Sequence, residues 1–138
     1  MKKRMFALAL CVCALFAAPM QVFAMQASDV VVAPCMLLID QADVGLKISG
    51  GTAKVTASVI GIVGTVDKAE IEVELQAKNG STWRYCDDWS VSKNSYRASL
   101  SETRAVVEGN TYRVKAVVTV WNGSQSETQT IYSSQCTV

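Results

Sequence analysis

The sequence predicts an all-β protein, a single antiparallel β-sandwich of about seven strands that follows a cleaved export signal. Three observations predict it. Apolar residues recur at every second position through most of the chain after Val44. Gly-Gly and Asn-Gly pairs separate these stretches at hairpin spacing. The first 24 residues carry the three-part pattern of a secretory signal.

The signal opens with Lys2, Lys3 and Arg4, continues with an apolar run from Met5 to Ala18, and breaks at Pro19. Val22-Phe23-Ala24 then presents small residues at the −3 and −1 positions of a cleavage site before Met25. The run is short of the roughly 20 residues needed to cross a hydrocarbon core. The expectation is cleavage with no stable membrane insertion afterwards, hence a secreted, extracellular location. Cys11 and Cys13 each follow a bulky residue (Leu10, Val12), so neither fits lipid attachment.

Residues 25–43 form an N-terminal segment or edge strand, and 44–138 the sandwich domain. Met36-Leu37-Leu38-Ile39 fits an edge strand or a short helix, and pattern alone does not separate them. Val44, Leu46 and Ile48 then alternate with Gly45, Lys47 and Ser49. Gly50-Gly51 supplies the positive φ angles of a tight hairpin, and Ala53, Val55, Ala57 and Val59 return on one face. The next strand is the clearest. Ala69, Ile71, Val73, Leu75 and Ala77 face one way; Glu70, Glu72, Glu74, Gln76 and Lys78 face the other. A helix would scatter those glutamates around its circumference. Asn79-Gly80 marks a hairpin to a returning strand over Trp83 to Trp89.

Tyr96, Ala98 and Leu100 continue as a strand, although Ser99-Leu100-Ser101-Glu102 also matches a capping box and Gly109 could end a short helix over 99–108. Tyr112, Val114, Ala116, Val118 and Val120 define a long strand with Arg113, Lys115 and Thr119 opposite. Asn122-Gly123 turns the chain into Gln125 to Ser133. Thr128, Thr130 and Tyr132 share one parity there and Ile131 the other, which leaves the facing open.

Seven such strands point to an immunoglobulin-like or fibronectin type III-like sandwich. The run Val106 to Ala116 resembles the corner before the sixth strand of fibronectin type III domains, where a tyrosine turns its hydroxyl back onto the preceding loop. Tyr112 occupies that position. Over roughly residues 40–138 the chain also resembles a family of small uncharacterised secreted proteins of Gram-positive, Firmicutes-type gut bacteria. The resemblance is carried by Leu46 to Ala53, by Asn79 to Trp83 with Trp89, and by Tyr112 to Ala116 with Tyr132-Ser133-Ser134. It implies export and the fold, and it implies no activity.

Composition removes several classes of function. Cleavage after Ala24 leaves 114 residues, and losing Lys2, Lys3 and Arg4 from 13 basic against 12 acidic residues leaves a net charge of −2. That balance offers no footprint for nucleic acid. Histidine is absent, which removes the usual general base and the commonest metal ligand. No cofactor and no metal are implied. Cys35, Cys86 and Cys136 remain after cleavage, none in a C-x-x-C pair. A possible disulfide joins Cys35 and Cys136; Cys86 pairing or three free thiols are the alternatives.

Candidate binding residues are Trp83, Asp87, Asp88, Trp89 and Trp121. Aromatic faces beside carboxylates suit a carbohydrate surface, whereas tryptophans more often pack into cores. Glu70, Glu72 and Glu74 have the spacing of paired glycosidase acids, but any exposed strand does too. A charge ladder against Arg113 and Lys115 accounts for them. Asn79-Gly80-Ser81 and Asn122-Gly123-Ser124 match the N-glycosylation pattern and are explained as turns. The leading expectation is a non-catalytic module, not an enzyme, that binds an extracellular protein or a cell-wall or host glycan. A secreted effector such as a small bacteriocin or inhibitor is the alternative, and a carboxylate-dependent hydrolase the weaker one.

Overall fold

The computed structural model describes residues 37–138, so the expected export signal, Cys35 and the segment before Leu37 lie outside the described residues. Among the described residues there are eight strands: β1 (Ile39–Ser49), β2 (Thr52–Gly61), β3 (Lys68–Asn79), β4 (Thr82–Lys93), β5 (Arg97–Ala105), β6 (Thr111–Asn122), β7 (Gln125–Tyr132) and β8 (Cys136–Thr137). All pairings are antiparallel. One sheet has the order β1-β2-β5, the other β4-β3-β6-β7, with the two-residue β8 continuing beside β6.

The alternation of side chains explains why these two layers close on each other. Ala53, Val55, Ala57 and Val59 of β2 meet Ala69, Ile71, Val73 and Leu75 of β3 and Val114, Ala116, Val118 and Val120 of β6 in one continuous buried core. Val55, Val59, Ile71, Leu75, Val114, Val118 and Val120 are the largest fully buried side chains. Each contributes on the order of 1.5–3 kcal/mol on leaving water.

The sandwich begins earlier than the alternation from Val44 suggests. Ile39 is already buried in β1, and a register irregularity between Ile39 and Gln41 hides the period of two at the strand's start. The Glu127 carboxylate accepts the backbone N–H groups of Leu38 and Ile39 at 2.5 and 3.0 Å, which fixes where β1 starts. The helix alternative for residues 99–108 gives way to β5. Ala98 and Leu100 face the core and the whole segment pairs with β2, so tertiary pairing overrides the local capping pattern.

The hairpins form where expected, with one adjustment. Gly50 and Gly51 both have positive φ, 55° and 71°, which suits the two-residue β1–β2 turn. In the other two hairpins Asn79 pairs with Thr82 and Asn122 with Gln125, so the loops are Gly80-Ser81 and Gly123-Ser124. The glycine, not the asparagine, holds the first loop position. Gly61 matters for another reason. A Cβ there would lie 2.5–2.8 Å from the side chain of Val66, which folds back over the end of β2.

Tyr112 is buried, and its hydroxyl accepts the Val107 N–H at 3.0 Å. The expected corner is therefore present and joins the β5–β6 loop to the base of β6. At the other end of the domain, Asp67 Oδ2 accepts the Gly123 N–H at 2.8 Å, tying the β2–β3 loop to the β6–β7 turn.

Candidate functional site

Sequence parity alone would put Trp83, Tyr85, Asp87 and Trp89 on one face of β4. A β-bulge prevents this. Leu75 pairs with Asp87 and Gln76 with Tyr85, so Cys86 is the extra residue and the facing switches across it. Trp83, Tyr85 and Asp88 consequently share the outward face of the four-stranded sheet. Asp87 and Trp89 turn toward the other layer. Trp89 is half-buried against the core, and Asp87 makes an ion pair with Arg104 of β5. The candidate cluster is thus divided between two jobs.

Cross-strand register builds the outward face in rows. Lys78 and Gln76 of β3 lie opposite Trp83 and Tyr85 of β4, and Gln76 lies opposite Arg113 of β6. Lys115 of β6 lies opposite Tyr132 of β7. Within this frame the Arg113 guanidinium sits 4.1 Å from the Trp83 ring centroid and 4.6 Å from that of Tyr132. Its Nε donates to Gln76 Oε1 at 2.7 Å, and Gln76 Nε2 donates to Glu74 Oε1 at 2.8 Å. Gln76 is the one buried polar residue among those described, and both ends of its amide are satisfied. A stack of aromatic, cation and aromatic therefore crosses all four strands and is hydrogen-bonded into the sheet.

Beside the stack lies a shallow hollow of about 350 Å³, bordered by Glu72, Glu74, Tyr85, Asp88, Lys115 and Val117 among others. The Tyr85 hydroxyl donates to Asp88. That bond, helped by the negative charges of Asp88, Asp87 and Glu74, pushes the phenol up from 10.0 to about 12. Tyr85 is therefore held protonated, the wrong direction for a base. Glu74 and Asp88 are both engaged as acceptors, whereas a general acid must be free to donate. Among the described residues no group of three acidic, histidine or cysteine side chains could hold a metal ion.

The expected ladder of Glu70, Glu72 and Glu74 against Arg113 and Lys115 forms only in part. Glu74 lies opposite Lys115, but Glu72 faces Val117 and Glu70 faces Thr119. The ion pairs among the described residues are Lys68–Glu70 at 3.3 Å and Arg104–Asp87. Arg113 is turned away from the glutamates by its two rings and Gln76. Trp121 is on the outward face as expected, with the Lys68 ammonium 4.3 Å above its ring, at the far end from the stack.

Sequence reasoning missed Arg113, Gln76 and Tyr132 as parts of this surface. Each had the outward parity, but the partnership needed the register of four strands. Cys86 and Cys136 are not bridged to each other, and the Cys136 thiol lies 3.4 Å from the Leu46 carbonyl. Cys35 lies outside the described residues.

These features define a small antiparallel β-sandwich domain with a preorganised outer face. No protein-family model matches the chain, and none of the curated proteins does. Among solved structures the chain is similar to CsgH of R. palustris, at 14% identity over 67% of this chain and 87% of that one, with a TM-score of 0.38. It is similar to the E. coli curli protein CsgC at 17% identity, covering 65% and 95%, with a TM-score of 0.37. A third similarity is to the sensor domain of the anti-sigma factor RsgI4 in Pseudobacteroides cellulosolvens, at 19% identity, covering 67% and 93%, with a TM-score of 0.35.

Proposed function

We propose that this protein is an exported, non-catalytic binding module that engages an extracellular protein through the outward face of its four-stranded sheet. The observation that carries the reading is the Trp83–Arg113–Tyr132 stack. Trp, Tyr and Arg are the residues that dominate the energetics of protein interfaces. Here they are already locked in place by Gln76, so little side-chain freedom is lost on binding. The Arg113 cation lies over one face of the Trp83 ring, which leaves less of that ring for stacking on a sugar and favours protein over glycan.

The strand order supports a fibronectin type III-like sandwich as the finer assignment. The fourth strand pairs with the third, whereas immunoglobulin constant domains place theirs in the other sheet. The export signal and the resemblance to secreted proteins of Firmicutes-type bacteria belong to the same reading.

Site-specific photocrosslinking tests it. A photoreactive residue at Tyr85 should give a discrete adduct in conditioned medium or on cell surfaces. The same probe at Ser99, on the outer side of the other sheet, should give none. Arg113→Ala should abolish the Tyr85 adduct. Equal labelling from both positions, or binding that appears only on a glycan array, would overturn the assignment of a protein partner to this face.

A further inference from the structure

We infer that the edge of β7, which has no strand partner among the described residues, is a pairing edge that takes the β7 strand of a second copy of this chain in antiparallel register. This inference stands apart from the outward-face reading and rests on how the four sheet edges differ.

A sheet edge offers unpaired N–H and C=O groups, and proteins block such edges with bulges, charges, proline or cover. Three edges here carry such devices. β4 has the bulge at Cys86 together with Arg84 and Lys93, and its inward-turned Asp87 is tied across to β5. β5 carries Arg97, Glu102 and Arg104. β1 has the irregularity after Ile39, exposed Asp40, Asp43 and Lys47, and the Cys136 thiol at the Leu46 carbonyl. Among the described residues β7 has none of them. Its eight residues pair with β6 without a register shift and include no proline, lysine or arginine. Its single charge, Glu127, is taken up by the Leu38 and Ile39 N–H groups.

The hairpin fixes which groups are free. A two-residue loop makes Asn122 and Gln125 a hydrogen-bonded pair, so Gln125, Glu127, Gln129 and Ile131 turn their backbone groups to β6. Ser133, of the same parity, donates its N–H to Val114 at 2.9 Å, which confirms the phase. Ser126, Thr128, Thr130 and Tyr132 therefore present their N–H and C=O groups outward along about 20 Å of strand.

That row is self-complementary. With Ser126 opposite Tyr132 of the second copy, Thr128 falls opposite Thr130, and each of the four residues exchanges both of its backbone groups. Gln129 meets Gln129 near the two-fold axis, and Glu127 meets Ile131, so no like charges oppose each other. Cross-strand threonine pairs are favourable. The product is an isologous dimer in which two four-stranded sheets become one continuous sheet, with an Arg113 stack on each half.

Sedimentation velocity on the exported protein under reducing conditions, over a wide concentration range, tests this together with amide hydrogen exchange. The expected result is a reversible dimer, with the amides of Ser126, Thr128, Thr130 and Tyr132 gaining protection as concentration rises. Thr130→Lys and Thr128→Pro should each abolish the dimer while leaving near-ultraviolet circular dichroism unchanged; Ser90→Lys on β4 should leave the dimer intact. Should the proline variant fail to fold, the lysine variant still decides. A wild-type protein that stays monomeric throughout would overturn the inference. So would a dimer that survives Thr130→Lys, or one whose protection appears on β4 or β5 instead of β7.

Discussion

Replacing Arg113 by lysine keeps the charge and most of the length but removes the planar fork that the outward face is built around. Guanidinium fills the space between Trp83 and Tyr132 and simultaneously binds Gln76 through Nε. A lysine ammonium can stand over one ring but lacks the flat cation that touches both. One cation–π contact at a partly exposed site is worth about 0.5–1 kcal/mol. The larger loss is at Gln76, whose Oε1 is left without its partner at a position only 8% exposed. An unsatisfied buried acceptor costs about 1–3 kcal/mol. Together they set the expectation at about 2 kcal/mol of destabilisation, which moves a urea midpoint by roughly 1 M at the m-values usual for small domains. Urea unfolding followed by tryptophan fluorescence reads this directly. A double-mutant cycle of Arg113→Ala with Trp83→Ala should show a coupling of about 0.5–1 kcal/mol. If Arg113→Lys unfolds at the wild-type midpoint, or the cycle shows no coupling, the stack is not a built feature of the surface.

Gly61→Ala should lower stability by about 1–3 kcal/mol, because the new methyl meets Val66 backed by the loop and the core; differential scanning calorimetry should show a drop in Tm of several degrees. Tyr85 should titrate near pH 12 in an absorbance titration at alkaline pH, and Asp88→Asn should bring it back toward 10. Since the folded phenol holds its proton more tightly than the unfolded one, its contribution to stability is complete below pH 10 and is lost as pH rises through 12. Non-reducing peptide mapping of residues 25–138 should find no Cys35–Cys136 bridge. Cys136 pairs with Tyr112 whereas Leu38 is held beside Glu127, which pairs with Val120; the eight residue steps from Tyr112 to Val120 along β6 span about 26 Å. Three residues of chain give Cys35 a reach of about 11 Å from Leu38, and a disulfide needs Cα atoms within about 7 Å. A mapped Cys35–Cys136 peptide would refute that estimate of reach.

The layers were legible because each core strand alternates without interruption. β2, β3 and β6 each place small or branched apolar side chains at every second position, and all three do so in the structure. Tyr112 was legible because its neighbours form a local motif whose partner, Val107, is five residues away. What failed to show were features that depend on a second strand. The irregularity at Ile39 breaks the alternation just where β1 begins, and only Glu127, 88 residues away, reveals the start. The facing of β7 was ambiguous because its side chains are polar on both sides. Its two-residue loop settles the phase, and Ile131 turns inward opposite Ala116. The capping-box pattern at Ser99 had a real physical basis but no helix to cap, because β2 supplied a complete ladder of partners.

The bulge at Cys86 connects these threads. In a strand without it, Asp87 and Asp88 would keep their alternation, but Trp83 and Tyr85 would lie on the same side as Asp87 and Trp89. Both rings would then point toward the interlayer space already filled by Trp89 and the core. Bulging Cys86 out of the ladder sends them outward instead, where Arg113 and Asp88 are waiting. It leaves Asp87 and Trp89 to close the β4–β5 side of the sandwich. The same residue that disrupts the β4 ladder also keeps that edge from pairing with another strand, whereas the uninterrupted ladder of β7 leaves its edge open. A single deletion at Cys86 should therefore do two things at once. It should leave the outward aromatic stack in register, because Tyr85 stays opposite Gln76 and Asp87 opposite Leu75, seen as a retained Trp83–Arg113 coupling; and it should regularise a second edge, seen as association that Thr130→Lys no longer suppresses.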